Sequence, residues 1–544
     1  MTARRWPTLL GAAALVLTVT ACGGDDDDGA TDGSGAARTT AAATTGESGA
    51  PADEAAATTD AGPAEPTRGG TLRFALGTEP TTFDPHKGAS GYDHVSLYPI
   101  YDRLLGSDPE TLEPLPSLAT AFEFADPMTL ELTLQEGVTF HDGTPFDAAA
   151  VVYNIDRAKN MEDSSIKTDL ASVDSAEAVG EHQVVVHLNQ PDSSLLGVFA
   201  DRAGMMVSPT AAENADFGQH PVGAGPHTFV SWNPGVTWTY ARNEEYWQPG
   251  LPYLDGIEIS MQADLTTRIN GLRSGQLDFI DGIEPGRLAE LEDADGIEVS
   301  SDPTLLEHIL WWNMGRPPLD DVRVRRAINM AIDREALWEG TQMGTGEVAW
   351  MPVPSQHWAF SGDLVPTFEH DPEAARALLE EAGYGDGFTL TFSQGTSAEF
   401  AQRAEILQAQ LAEIGVQIEV LAQDGTAAVD TYFRNKQTDI LNSSMTSRPD
   451  PSITFQTMFA ADSFYNTGQY APEGFDALLD AARAAQTSDE RVAAFEALNE
   501  AVIEHALWVP LLYPASITAW RTEFAGFDPS LIGKPDFLTV HLAG

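Results

Sequence analysis

The chain contains residues capable of acid–base and metal chemistry, but few at spacings that such chemistry needs. His141-Asp142-Gly143 sets an imidazole beside a carboxylate, a pairing suited to proton transfer. The Asp-Gly step lies between a period-two stretch at 130–134 and a helix opening near Asp147, so a turn is the preferred reading. His182 with His187, or His220 with His227, could supply two metal ligands. Neither pair has a third ligand nearby in sequence, and structural or surface histidines are expected instead. Asp25, Asp26, Asp27 and Asp28 lack the alternating spacing and distal Glu of a calcium loop. The sequence has no Gly-x-Ser-x-Gly, no His-Glu-x-x-His, no Walker A motif and no Gly-x-Gly-x-x-Gly after a strand. No catalytic residue, cofactor or metal is expected.

The chain has 544 residues, 42% hydrophobic and 20% charged, which is globular composition. Its 29 Lys and Arg against 82 Asp and Glu give a net charge of -53, a field that repels polyanions and excludes a nucleic-acid partner. Such an acidic chain repels itself, and an exterior rich in salt would screen that repulsion. The single cysteine rules out an intrachain disulfide framework. That cysteine, Cys22, closes a stretch with Arg4 and Arg5 at its start, an apolar run at 9–19, and Val19, Thr20 and Ala21 just before it. Residues 1–22 resemble a lipoprotein signal peptide and its box, in which the cysteine is diacylglycerated and becomes the new N-terminus; a plain signal peptide is the alternative. Residues 23–68 are acidic, rich in Ala, Thr, Gly and Ser, and almost free of large apolar side chains. Such a segment cannot bury enough apolar surface to fold and reads as a disordered tether.

Positioning elements begin at Gly69. Strands are predicted at 71–76, 129–134, 183–188, 237–240 and 257–259. Asp371-Pro372 starts a helix, with Asp as N-cap and Pro at the first turn, and Gly383 stops it. A strand at 388–392, a helix at 398–414 and a strand at 416–420 imply a right-handed parallel crossover. A last helix at 489–506, with Val492, Phe495, Leu498, Val502 and Ile503 inward, leads into a strand at 508–513.

Several segments, in order along almost the whole globular part, resemble family 5 of the extracellular solute-binding proteins, which includes oligopeptide, dipeptide and nickel binders. Gly69-Gly70-Thr71-Leu72 with Phe83-Asp84-Pro85 is similar to the family's opening, as is Tyr101-Asp102-Arg103-Leu104. The most specific block runs from Gln135-Glu136-Gly137-Val138 through His141-Asp142-Gly143 to Phe146. Pro221-Val222-Gly223-Ala224-Gly225-Pro226, Asn243-Glu244-Glu245-Tyr246-Trp247, Ser274-Gly275-Gln276-Leu277-Asp278 and Asp321-Val322-Arg323-Val324-Arg325-Arg326-Ala327 follow.

The resemblance implies an α/β, periplasmic-binding-protein-like fold: two α/β lobes with a hinge, plus an extra inserted domain. By analogy, residues 69–113, 221–334 and 510–544 form lobe one, 114–220 the inserted domain, and 335–509 lobe two. Gly223 and Gly225 would supply turn conformations, Tyr246 and Trp247 would be core anchors, and Arg323, Arg325 and Arg326 would be structural. The implied function is a lipid-anchored, extracytoplasmic substrate-binding protein. It would carry a peptide-like or other small solute to an ABC permease and its ATPase, touching the membrane only through its anchor. A secreted hydrolase, or a non-transporting receptor or chaperone on the same fold, is the alternative.

In peptide-binding members an Asp within a Trp-x-x-Asp-x-x-Asp-Pro-like segment meets the ligand's α-ammonium. Here Asp450-Pro451 aligns, but Ser447 stands at the acid's place and Arg448 follows it. Loss of that carboxylate implies a neutral or anionic ligand, with Arg448 able to meet a carboxylate or phosphate. Trp311, Trp312, Asn313, Trp350, Tyr465 and Asn466 are further candidates to line the cleft.

Overall fold

The computed structural model describes residues 66–544 apart from residue 89. Cys22 and most of the acidic tether lie outside the described residues. Thr67 already pairs with Leu542, so the ordered body begins about two residues before the expected start.

The body is organised around three sheets. The first has seven strands, in the order Ile297–Asp302, Ser516–Arg521, Phe279–Ile280, Thr71–Leu76, Gly256–Met261, Thr237–Arg242 and His227–Asn233. The second has six, in the order Glu347–Val348, Val509–Tyr513, Leu306–Trp312, Ile440–Thr446, Phe388–Gln394 and Val416–Ala422. A four-stranded antiparallel sheet, Ala119–Asp126, Thr129–Leu134, Gln183–Leu188 and Val173–Ala178, forms a layer inserted in sequence between two strands of the first sheet, Thr71–Leu76 and His227–Asn233. Each has its own apolar core, and that of the second sheet runs from Ile309 to Leu512.

Local sequence rules account for the elements. Thr129–Leu134 alternates as period two requires, with Leu130, Leu132 and Leu134 buried. Asp371 caps the helix Pro372–Glu381, accepting from the amides of Glu373 and Ala374. Phe388–Gln394 and Val416–Ala422 pair in parallel across the helix Ala398–Glu413, as the strand–helix–strand order predicts.

The helix Ser488–Glu504 buries Phe495, Leu498 and Val502, but Val492, expected inward, is 46% exposed. Arg491 takes the inward slot one residue earlier because it pairs with buried Asp450.

The expected domain limits move at the hinge. Leu306–Trp312 and the helix Val322–Ala331, assigned to lobe one by a limit at 334, belong to the body of the second sheet. So does Val509–Tyr513, which a limit at 510 had split. The chain crosses between the first and second sheets twice, after Asp302 and after Tyr513. The apolar strand 306–312 carries no local mark of which sheet it joins.

Gly223 and Gly225 are needed for a different reason from the one expected. Neither has a left-handed backbone; instead a Cβ on Gly223 would lie 2.1 Å from the Ile100 carbonyl oxygen, and one on Gly225 2.5 Å from its carbon. The chain packs flat there, with the Gly225 amide donating to Ile100 O at 2.8 Å.

Candidate functional site

The His141-Asp142-Gly143 segment is a turn. Gly143 has φ +78°, Asp142 accepts from Thr144 and Ser208, and a His141 ring nitrogen lies 2.9 Å from Gly225 O. His187 meets Glu177 at 3.3 Å and His220 meets Asp216 at 3.7 Å. Among the described residues no three His, Cys, Asp or Glu converge as a metal site.

The register of the second sheet fixes which of its ends faces the hinge. Leu306 pairs with Thr446, and the Ser447 amide donates to Leu305 O at 2.9 Å. Ser447 and Arg448 therefore sit at the hinge end. Trp312 pairs with Ile440 at the other end. Five residues separate Leu306 from Trp311, about 17 Å of strand at roughly 3.4 Å per residue.

This placement divides the candidates expected from sequence. Trp311 is 7% exposed and packs against Phe433 and Tyr465, both with ring centroids 5.6 Å away. Trp312 is buried, its indole N–H donating to Leu507 O at 2.9 Å. Asn313 accepts from the Gly315 amide. Asn466 is buried, and its amide donates to the carbonyls of Phe459, Ala460 and Tyr470. Trp311, Trp312 and Asn313 thus lie at the end of the sheet away from Leu306, with Tyr465, 40% exposed, against Trp311. Aromatic pairs and buried amides of this kind are as common in cores as in clefts, and sequence does not separate the two.

Ser447 and Arg448 lie next to Leu305 and Leu306, where the chain enters the second sheet. Ser447 is 2% exposed, its hydroxyl 3.4 Å from the carbonyl of Pro352, two residues on from Trp350. Arg448 is exposed, and its amide donates to Thr454 Oγ1. Asp450 caps the helix Pro451–Phe459 and forms a buried ion pair with Arg491.

Arg448 lines a crevice of about 280 Å³ together with Pro449, Asp450 and Ile453, facing Asp169, Gly197, Asp201 and Arg202 of the inserted layer. Burial raises the Asp169 carboxyl, and Arg448 is the main charge opposing that rise. Asp201 lies 2.6 Å from a His94 ring nitrogen, and Arg202 is tied to Gly88, Ser90 and Asp93. Asp201 and Arg202 are thus already paired on the inserted side, while Asp169 and Arg448 form no ion pair within 4.0 Å among the described residues. Sequence reasoning missed Asp169 and Asp201, because nothing local marks an acid that meets an arginine more than two hundred residues later.

A larger space of about 460 Å³ lies over the first sheet, lined by Phe279, Thr518, Trp520, Phe527 and Lys534 and reaching Asp302 at the hinge. Its walls all come from one body. The Arg448 crevice draws groups from two, which makes it the candidate site for a solute held between bodies.

Two α/β bodies crossed twice by the chain, with charged groups converging between one body and an inserted layer, define a hinged cleft receptor. Residues 113–466 match the model of the bacterial extracellular solute-binding proteins, family 5, middle region. The glutathione-binding protein GsiB of Shigella dysenteriae is 30% identical over 469 residues, covering 83% of this chain and 91% of that protein. GsiB of Escherichia coli O157:H7 matches equally. Among solved structures, HbpA2 of Haemophilus parasuis superposes with a TM-score of 0.79 at 24% identity, covering 87% of this chain and 100% of that one. The periplasmic binding protein DppA of Helicobacter pylori, in complex with the peptide STSA, gives 0.72 at 26% identity, covering 88% and 99%. The chain belongs to family 5 of the bacterial extracellular solute-binding proteins. It is an extracytoplasmic substrate-binding protein of an ABC importer.

Proposed function

We propose that this protein is anchored by lipid on Cys22 and captures a neutral or anionic peptide-like solute in the Arg448 crevice, handing it to the permease when the lobes close. The observation that carries the ligand class is the pair at 447–448. A buried hydroxyl stands where an amine-binding carboxylate would be, and the next side chain is a guanidinium without an ion-pair partner among the described residues. A buried ammonium without a counter-ion is costly, whereas a guanidinium can hold a carboxylate through two parallel hydrogen bonds. Glutathione, named in the GsiB relatives, carries two carboxylates that a guanidinium can hold, beside one α-ammonium on its γ-glutamyl residue. The protein performs no covalent step: the solute acts through contacts stronger in the closed state than in the open one. A thermal-shift screen over glutathione, N-acetylated peptides, opines and free dipeptides tests the class, because a ligand that binds only the folded form raises the melting temperature. Stabilisation by free dipeptides alone would contradict it.

The anchor has its own test. Cys22→Ala is expected to move the protein from the membrane fraction to the soluble fraction, since two or more acyl chains hold a protein far more firmly than one. Retention of the Cys22→Ala protein in membranes after high-salt washing would show that something other than lipid holds it.

A further inference from the structure

The contact between the inserted layer and the second lobe extends beyond the Arg448 crevice. Asp192, which follows the strand Gln183–Leu188, is 5% exposed, and its Oδ2 lies 3.2 Å from the guanidinium of Arg483. Arg483 stands in the last turn of the helix Phe475–Ala484, in the core of the second lobe. The amide of Gln190, oriented with its oxygen toward Arg483, accepts from both guanidinium nitrogens at 3.2 and 2.5 Å. The Ser193 amide donates to the Arg483 carbonyl at 2.8 Å, and its hydroxyl to that of Ala482 at 3.4 Å. One short turn, 190–193, therefore takes both the side chain and the backbone of the end of this lobe-two helix.

A second contact lies a few residues on. Gly197, in the helix Leu195–Phe199, faces Asp450 so closely that a Cβ on it would lie 2.8 Å from Asp450 Cβ and 3.2 Å from its amide nitrogen. Ile453, two residues after Pro451, packs against the apolar core of the inserted layer. Asp450 is itself fixed by Arg491. The approach is thus between two rigid pieces and depends on glycine at 197.

We propose that the 190–197 segment is a closure latch: Asp192 and Gln190 grip Arg483, Gly197 permits the approach, and together they favour the closed arrangement of the lobes without any contribution from solute. These groups are protein on both sides, so the latch acts whichever solute the crevice takes. Asp192 and Arg483 have side chains only 6% and 23% exposed, so the pair is screened less by salt than a surface pair. A part of the free energy of closure supplied this way raises the apparent affinity for any solute that selects the closed state.

The test needs no solute. Spin labels at Val179→Cys in the inserted layer and Val420→Cys in the second lobe, both at exposed positions, report the interlobe distance by pulsed dipolar spectroscopy in the full chain carrying Cys22→Ala. The unaltered latch should give one dominant short distance. Arg483→Glu should move most of the population to longer distances, and adding Asp192→Arg should restore the short one by reversing the pair. Gly197→Ala should open the lobes through steric wedging alone, with both charges intact, and its own helix tolerates alanine. Far-ultraviolet circular dichroism confirms that each variant is folded. A distance distribution unchanged in both Arg483→Glu and Gly197→Ala, or a parent already spread over the long distance, would overturn the latch. Neither result would bear on which solute the Arg448 crevice binds.

Discussion

Arg491→Met is expected to destabilise the second lobe by about 3–5 kcal/mol, the range for breaking a buried ion pair by removing one partner. Arg491 and Asp450 are 5% and 3% exposed and paired side chain to side chain. The guanidinium also lies 4.5 Å from the Trp358 ring centroid, and that cation–π contact goes with it. Methionine fills much of the same volume, so the loss is mainly the charge left on Asp450 rather than a cavity. Asp450→Asn combined with Arg491→Met should therefore recover much of the loss. Asparagine keeps the cap on the Ser452 amide while carrying no charge to strand. Urea unfolding followed by tryptophan fluorescence reads both variants. A single Arg491→Met change within 1 kcal/mol of the parent, or a double variant worse than the single, would contradict this account of the pair.

Glu307 sets the second large effect, and it depends on pH. The residue is fully buried one step past the hinge; Oε1 accepts from the Trp508 indole at 3.0 Å, and Oε2 has no partner. Burial pushes its carboxyl up to about 8, against 4.5 ordinarily. Between those values the folded chain keeps the proton and the unfolded chain gives it up. Unfolding then releases a proton, and stability falls as pH rises across this window, by about 1.4 kcal/mol per unit for a single group. Glu307→Gln removes the titration and keeps the shape. Its melting temperature should match the parent near pH 4 and exceed it increasingly up to pH 8. Parallel curves across that range would show that Glu307 is not buried as a neutral acid.

The parts of this fold that the sequence discloses are those fixed by neighbours a few residues apart. Asp371 before Pro372 marks a helix start because cap and first turn are adjacent. The unit from 388 to 422 is legible because its two strands differ in period from the helix between them. The order of motifs along the chain discloses the family and hence the two-lobed plan. The hinge is not legible: Leu306–Trp312 is an apolar strand that would suit either sheet, and only its pairing with Ile440–Thr446 and Val509–Tyr513 assigns it.

That assignment also sets where the tryptophans fall: Trp311 and Trp312 lie at the end of the strand away from Leu306, and Asn313 follows them. Ser447 and Arg448 stand out in the sequence because the Asp450-Pro451 step beside them is a local mark. Asp192 and Arg483 carry no such mark, being 291 residues apart.

The central claim is that Arg448, and not a carboxylate at 447, receives the solute. Isothermal calorimetry with glutathione and with unmodified and N-acetylated short-peptide pools, on the parent and on Arg448→Ala, tests it most directly. The account predicts binding that survives acetylation and weakens at least tenfold in Arg448→Ala, as loss of a charge-assisted hydrogen bond of about 1.5–3 kcal/mol requires. Tight binding to the free-amine pool alone, abolished by acetylation and indifferent to Arg448→Ala, would contradict it.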